Sequence, residues 1–389
     1  MSSSARGGFA SGVAIGLVAG LALAALAGLV TGVLGGDDSD AVGEARETIE
    51  SNYFEAVDER VLDDASIQGM IRELRARHSD RFSHYFTEEQ LKDFEAATSG
   101  RFKGVGLTVN EVGAGLRVAE VFPETPAARA GIRPGDVIVA VDGRSIAGTS
   151  ADVSTARIKG PPGTQVELRL KPAGGGSERE IVVERAFVRV PAVDGEVRRV
   201  DGRRVAYVDL QTFSEGAHGE LRQMIERLYR EGAEGLVLDL RGNGGGLLNE
   251  AVLTTSIFVE DGTVVSTESR TQGERDYEAV GEAIDPRAMV VLVDRDTASA
   301  AEILAAALAE YDLATVVGTR TFGKGTFQEV IPLEAGGALD LTIGEYLTAD
   351  GTSIADRGVP PEVRAADDRS TPNADEGLER ALEVLHDEL

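Results

Sequence analysis

The pattern of apolar and polar positions divides the chain into four stretches. Residues 9–34 form an unbroken, uncharged run, about 39 Å long as a helix and enough to cross a bilayer with tilt. A short polar linker follows at 35–40. Over 41–99 apolar residues return at helical spacing (Ile49, Tyr53, Val57, then Ile67, Met70, Ile71, Leu74), which predicts helices, a break at 80–86 and a further helix over 88–97. Residues 100–186 change to short strands and turns, with a strand at 107–110, a short helix at 126–130 and another helix at 151–158.

The remaining stretch, 187–389, alternates strands with helices. Strands are predicted at 205–210, 235–240, 288–293, 314–318 and 338–347, and helices at 216–231, 300–308 and 376–385. The continuous apolar run at 235–240 is typical of a strand buried on both faces. Residues 261–285 are polar and fit a surface loop or a hairpin, and 365–374 reads as disordered. Repeated βα units in an interrupted order predict an α/β fold.

Composition narrows the function. The chain carries 39 basic and 66 acidic residues, a net charge of −27, which argues against nucleic acid as a partner. With no cysteine, disulfides, thiolate catalysis and cysteine lipidation are excluded. The four histidines (78, 84, 218, 386) show no H-E-x-x-H spacing, so a zinc peptidase is poorly supported. His84 reads as a structural loop residue. Lysine occurs only at 92, 103, 159, 171 and 324, and arginine, which cannot act as a base, serves elsewhere.

One lysine stands apart. Lys324 lies between two glycines, 25 residues after Ser299, and Ser299 sits where the strand 288–293 gives way to the helix 300–308. A helix start offers unpaired N–H groups. A serine needs a base to become a nucleophile, and a desolvated lysine can serve. From spacing alone, a turn lysine beside an ordinary helix cap fits as well. The glycine run at 242–246 similarly reads as a flexible turn, and the absence of a following G-K-[ST] disfavours a phosphate loop.

The motifs TASAAEI (297–303) and FGKGTFQ (322–328) resemble the signature of the carboxyl-terminal processing, or tail-specific, peptidases. The resemblance covers residues 41–385. It implies Ser299 as nucleophile, Lys324 as general base and Gln328 as the residue orienting the lysine. Thr297 and Ala301 replace family serines, which leaves Ser299 the only serine of the motif. DLRGNGGG (239–246) matches the family loop that donates a backbone N–H to the oxyanion. The donor maps to Gly246, with Gly245 the neighbouring alternative and the Ala300 amide the second donor. DRFSHY (80–85) resembles a D-x-x-S-x-Y element of the family's N-terminal helical region.

Residues 100–186 resemble a protease-associated PDZ domain. Gly104, Val105, Gly106 and Leu107 form the loop expected to hold a peptide's terminal carboxylate, while the adjoining strand adds the peptide to its sheet. Lys159, in IKGPPGT, replaces an arginine frequent in the family. The resemblance therefore implies a crotonase-like peptidase core at 187–389 with a C-terminal helix, an inserted β-rich PDZ domain and an N-terminal helical region at 41–99. No metal or cofactor is implied. The substrates expected are proteins with unstructured, apolar C-terminal tails. A PDZ adaptor without catalysis is the alternative, but it would need a damaged dyad, and both partners stand intact.

Residues 1–40 are expected to supply a cytoplasmic stub, a transmembrane anchor and a linker. Arg6 before the apolar run and Asp37 and Asp38 after it place the N-terminus in the cytoplasm and the catalytic part outside. A cleaved signal peptide, with small-residue sites at 22–27, is the alternative and would give a secreted protein. Small residues at every fourth position from Gly12 to Gly32 fit a dimerisation face, hence a homo-oligomer, or simply an Ala/Gly-rich anchor.

Overall fold

The computed structural model describes residues 40–389, apart from 285–286, 368–370 and 372–373. The expected membrane span at 9–34 lies outside the described residues, as does part of the stretch 365–374. Among the described residues no helix is long and apolar enough to cross a membrane.

Helices Ala41–Asn52, Glu59–His78 and Glu88–Thr98 open the described chain. Each begins on a side-chain oxygen that accepts a first-turn N–H, from Asp40, Asp58 and Thr87 respectively. The apolar positions that predicted these helices are only partly covered: Ile71 is buried, whereas Ile49, Tyr53, Met70 and Leu74 are exposed. The first two helices are tied instead by Arg46, whose Nη1 lies 2.9 Å from Asp63 Oδ1. His84 is not a loop residue. His84–Phe86 is a strand antiparallel to Ala338–Thr348, with His84 opposite Asp340. Three residues are too few to show a strand period, and the partner lies far along the chain.

The β-rich insertion carries an antiparallel sheet in the order Leu107–Val112, Gly115–Val121, Val137–Val141, Gln165–Lys171, Arg179–Glu184, with Arg144–Ser145 paired to Val137–Val141. Helices Pro126–Arg129 and Ala151–Ile158 accompany it, around a core that includes Leu116, Ile138, Ile146, Leu168 and Leu170. A two-stranded ribbon, Arg101–Gly104 against Ala186–Arg189, joins both ends of the insertion to the rest.

The larger body is built on a six-stranded sheet: Val193–Val200, Arg203–Leu210, Gly235–Asp239, Met289–Val293, Thr315–Gly318, Val363–Arg364. The first pair is antiparallel and the rest are parallel. Gly235–Asp239 and Met289–Val293 are buried throughout, as a parallel sheet covered on both faces requires. Side chains of one parity (Ala206, Val208, Leu236, Leu238, Val291) pack with residues of Ala217–Arg230, Leu248–Thr255 and Ala300–Glu310. Those of the other parity (Val205, Tyr207, Val237, Val290, Leu292) meet Leu378, Ala381 and Leu385 of Glu376–Glu388. The helix Ala300–Glu310 is mostly alanine and leucine, the strongest helix formers, and is buried along most of its length.

A second sheet runs His84–Phe86, Ala338–Thr348, Thr263–Ser269, Gly273–Glu278, with Thr326–Pro332 also paired to Ala338–Thr348. The polar stretch 261–285 thus contains a hairpin rather than a surface loop, and its first strand is largely buried.

Candidate active site

Ser299 ends the segment leaving Met289–Val293 and starts the helix Ala300–Glu310. Its backbone is at φ 56°, ψ −117°, outside the regions non-glycine residues favour. Such an elbow between strand and helix costs roughly 1–3 kcal/mol and persists where the surroundings over-determine it. Here they do. Ser299 N–H donates to Glu302 Oε2 at 2.8 Å, Thr297 Oγ1 donates to Leu240 O at 2.8 Å, and Ala298 N–H donates to Asn243 O at 2.9 Å. The Ser299 side chain is 1 % exposed and its Oγ makes no hydrogen bond of ordinary geometry. Tyr346 is nearby. Burial pushes its phenol up, and the Ser299 hydroxyl draws it partly back.

The turn bearing Lys324 is fastened to the same helix. Glu302, fully buried, accepts Gly323 N–H at 2.7 Å, Lys324 N–H at 2.9 Å and the Thr321 hydroxyl, besides Ser299 N–H. Burial pushes the Glu302 carboxyl up, and these four donors pull it back. Lys324 is 4 % exposed, with its ammonium 4.6 Å from the centre of the Phe82 ring. Burial brings it down to about 8, against the opposing charges of Asp340, Glu302 and Asp80.

Gln328 lies in the strand that follows. Its Nε2 donates to Thr342 Oγ1 at 3.2 Å and to Thr326 Oγ1 at 3.4 Å. Thr342 Oγ1 in turn donates to Asp80 Oδ1 at 3.1 Å, and Thr342 N–H donates to Ser83 Oγ at 3.0 Å. Burial raises Asp80, but hydrogen bonds from Ser83 and from the N–H groups of Phe82 and Ser83 outweigh it, and its carboxyl falls below the usual range. The N-terminal block therefore enters the site through Asp80 and Ser83.

The glycine loop packs against the Ser299 elbow. A Cβ on Gly245 would stand 3.0 Å from Ser299 Cβ and 2.8 Å from Ala298 O, so only glycine fits this approach. Gly245 N–H is occupied by Asn243 Oδ1 at 2.8 Å. The N–H groups of Gly246 and Ala300 have no partner among the described residues. Arg241 holds the outer side of the loop, with Nη2 2.7 Å from Asp239 Oδ2 and Nη1 2.7 Å from Asp375 Oδ1.

Ser299, Ala300, Lys324, Gln328 and the loop at Gly246 thus come together, whereas Gly104, Val105, Gly106 and Leu107 lie in the β-rich insertion. There Val105 O accepts Ala127 N–H at 2.7 Å, Gly106 O accepts Phe122 N–H at 3.1 Å, and the N–H groups of Val105 and Gly106 have no partner among the described residues. The helix Ala151–Ile158 lies against Leu107–Val112, and Glu111 Oε2 accepts Ala151 N–H at 2.8 Å. Lys159 is exposed at the end of that helix. Among the described residues no group of three or more His, Asp or Glu is placed to hold a metal ion. Sequence reasoning gave no role to Glu302 or Asp340. A lone acid inside an Ala/Ile/Leu helix was the available signal for the first.

The fold is that of a serine peptidase joined to a second, β-rich domain. Residues 204–365 match the model of Peptidase family S41 and residues 117–172 that of the PDZ domain. The carboxy-terminal processing protease CtpA of Bacillus subtilis is 36% identical over 327 residues, which cover 84% of this chain and 68% of that protein. The carboxy-terminal-processing protease of Bartonella bacilliformis is 35% identical over 327 residues, covering 82% and 73%. The structure of the photosystem II D1 C-terminal processing protease is similar at a TM-score of 0.51 and 33% identity, over 88% of this chain and 90% of that one. The chain belongs to the carboxy-terminal processing proteases of peptidase family S41 and is a serine-type endopeptidase.

Proposed function

We propose that the chain is a membrane-anchored peptidase with a Ser-Lys dyad and a crotonase-like core, which cleaves proteins outside the cytoplasm and recognises unstructured, apolar C-terminal tails. Ser299 Oγ attacks the scissile carbonyl carbon while the neutral Lys324 amine takes its proton. The N–H groups of Gly246 and Ala300 hold the developing oxyanion, and loss of one such donor costs about 3 kcal/mol. The Lys324 ammonium then protonates the departing amine, leaving an acyl ester on Ser299. A water that gives its proton to Lys324 hydrolyses the ester and restores the hydroxyl. Gln328, its Nε2 engaged by Thr342, serves as the residue that orients the lysine.

The observation that carries this reading is a lysine buried to 4 % exposure and brought to about 8 on a turn that shares one carboxylate with the nucleophile's backbone. In the PDZ domain the loop Gly104, Val105, Gly106, Leu107 receives the tail's terminal carboxylate on its free N–H groups, and the tail pairs along Leu107–Val112. Residues 9–34 supply the anchor.

The test compares the full chain in detergent with its Ser299→Ala and Lys324→Ala variants, on an unstructured protein ending in apolar residues. Cleavage by the unaltered chain alone is expected. Cleavage that survives Ser299→Ala would remove the nucleophile assignment.

A further inference from the structure

Asp340 is a buried carboxylate that the mechanism above leaves unused. It lies in the strand Ala338–Thr348, 5 % exposed, with His84 opposite on one side and Val330 on the other. Thr342 is two positions on, and residues two apart on a strand share a face. Asp340 therefore projects to the side on which Thr342 meets Gln328 and Asp80. Its Oδ1 is buried without a hydrogen-bond partner among the described residues. A carboxylate so placed is costly unless a cation offsets its charge.

The other acids around Lys324 are committed. Asp80 receives the N–H groups of Phe82 and Ser83 and the hydroxyls of Ser83 and Thr342. Glu302 receives the hydroxyl of Thr321 and the N–H groups of Ser299, Gly323 and Lys324. Of the charges acting on Lys324, that of Asp340 is the largest, ahead of Glu302 and Asp80. From the facing strand, His84 is kept below its ordinary value by burial and by the positive charge of Arg75, so at neutral pH it brings no competing cation. Arg81 is turned over the rings of Phe82 and Phe322.

We propose that Asp340 is a positioning residue for Lys324: its carboxylate holds the lysine in the charged form in the resting site, so that the peptidase is restrained at neutral pH and released as the pair gives up a proton. The release, though not the pairing, rests on the reading of Lys324 as general base. Burial and the charge of Asp80 push Asp340 up to about 6, and burial brings Lys324 down to about 8. Between these values the two stand as carboxylate and ammonium. Above them the lysine is neutral. An opposite charge close by supports the charged form by about one to three pH units, so removing it moves the lysine to lower pH.

The experiment is Asp340→Asn in the full chain in detergent, labelled with ¹³C at lysine Cε. The chain holds five lysines, and loss of a resonance in Lys324→Met assigns the one of interest. The Lys324 midpoint is expected to fall by about one pH unit, with the acid limb of kcat/KM following it and cleavage at pH 7 rising about fivefold. Asp340→Ser repeats the measurement if the asparagine variant does not fold. A midpoint that stays or rises overturns the inference. A rate lowered at every pH with the resonance unmoved also overturns it, since that is the mark of structural damage alone. If the resonance moves and the rate profile does not, the pairing stands and the reading of Lys324 as the base falls.

Discussion

Ser299 and Lys324, 25 residues apart in the chain, hang on one oxygen: Glu302 Oε2 accepts the N–H of Ser299 at 2.8 Å and that of Lys324 at 2.9 Å. Their separation is thereby set through the backbone, before either side chain chooses a rotamer. A glutamine at 302 offers one acceptor oxygen and turns a donor toward the donors that remain. Glu302→Gln is expected to lower stability by about 3 kcal/mol, a hydrogen bond to a buried charge being worth roughly 1.5–3. It should also lower kcat about 100-fold, the scale of a displacement near 1 Å. Denaturant unfolding and kcat on the same protein check both, and an unchanged kcat would separate Glu302 from the chemistry.

The acid limb of the rate profile follows from the burial of Lys324. A base must be neutral to accept a proton, and Lys324, the base we propose, passes from ammonium to amine near 8. Because its value is lowered from the ordinary lysine range, activity is lost as pH falls through it and present above it. We expect kcat/KM to rise about tenfold per pH unit below that point and to level off beyond. A profile flat from pH 5 to 9 would count against the lysine.

Thr342 relays between Asp80 and Gln328. Thr342→Val keeps the shape and strands both partners, so a stability loss of about 1–2 kcal/mol is expected from their unmet groups. A tenfold loss of kcat should accompany it. In a cycle with Gln328→Ala the two kinetic effects should fail to add, since both act through one contact. Additive losses would mean that Thr342 works elsewhere.

Gly246 is held at φ 154°, and a Cβ there would lie 2.4 Å from Phe213 O. Gly246→Ala must displace the backbone that carries the free N–H. We expect kcat to fall about 10²–10³-fold, the scale of one lost oxyanion donor, with KM little changed. A change confined to KM would place Gly246 in substrate binding instead.

Much of this site was legible in the residues. Ser299, Lys324 and Gln328 stand within two short motifs, and their elements follow from an apolar strand, an alanine-rich helix and a Gly-Lys-Gly turn. Which of Gly245 and Gly246 leaves its N–H without a partner among the described residues was not legible. It depends on Asn243 reaching forward to claim the N–H of Gly245. The strand character of His84 was hidden for a related reason, because its partner is Asp340 and no local period announces a three-residue pairing. Helical spacing found the helices at Ala41–Asn52 and Glu59–His78 but left their burial open, since spacing says which face is apolar and not what covers it.

The Asp80–Thr342 hydrogen bond bears on what counts as the catalytic unit. Ser299, Lys324 and Gln328 all fall within 204–365, the span that the peptidase family model recognises. Yet the carboxylate bracing Thr342 comes from before the PDZ domain in the chain. A fragment cut between the two would keep Ser299, Lys324 and Gln328 and lose the carboxylate that braces Thr342. The peptide-binding insertion is thus spliced into the middle of a machine whose halves meet only after folding.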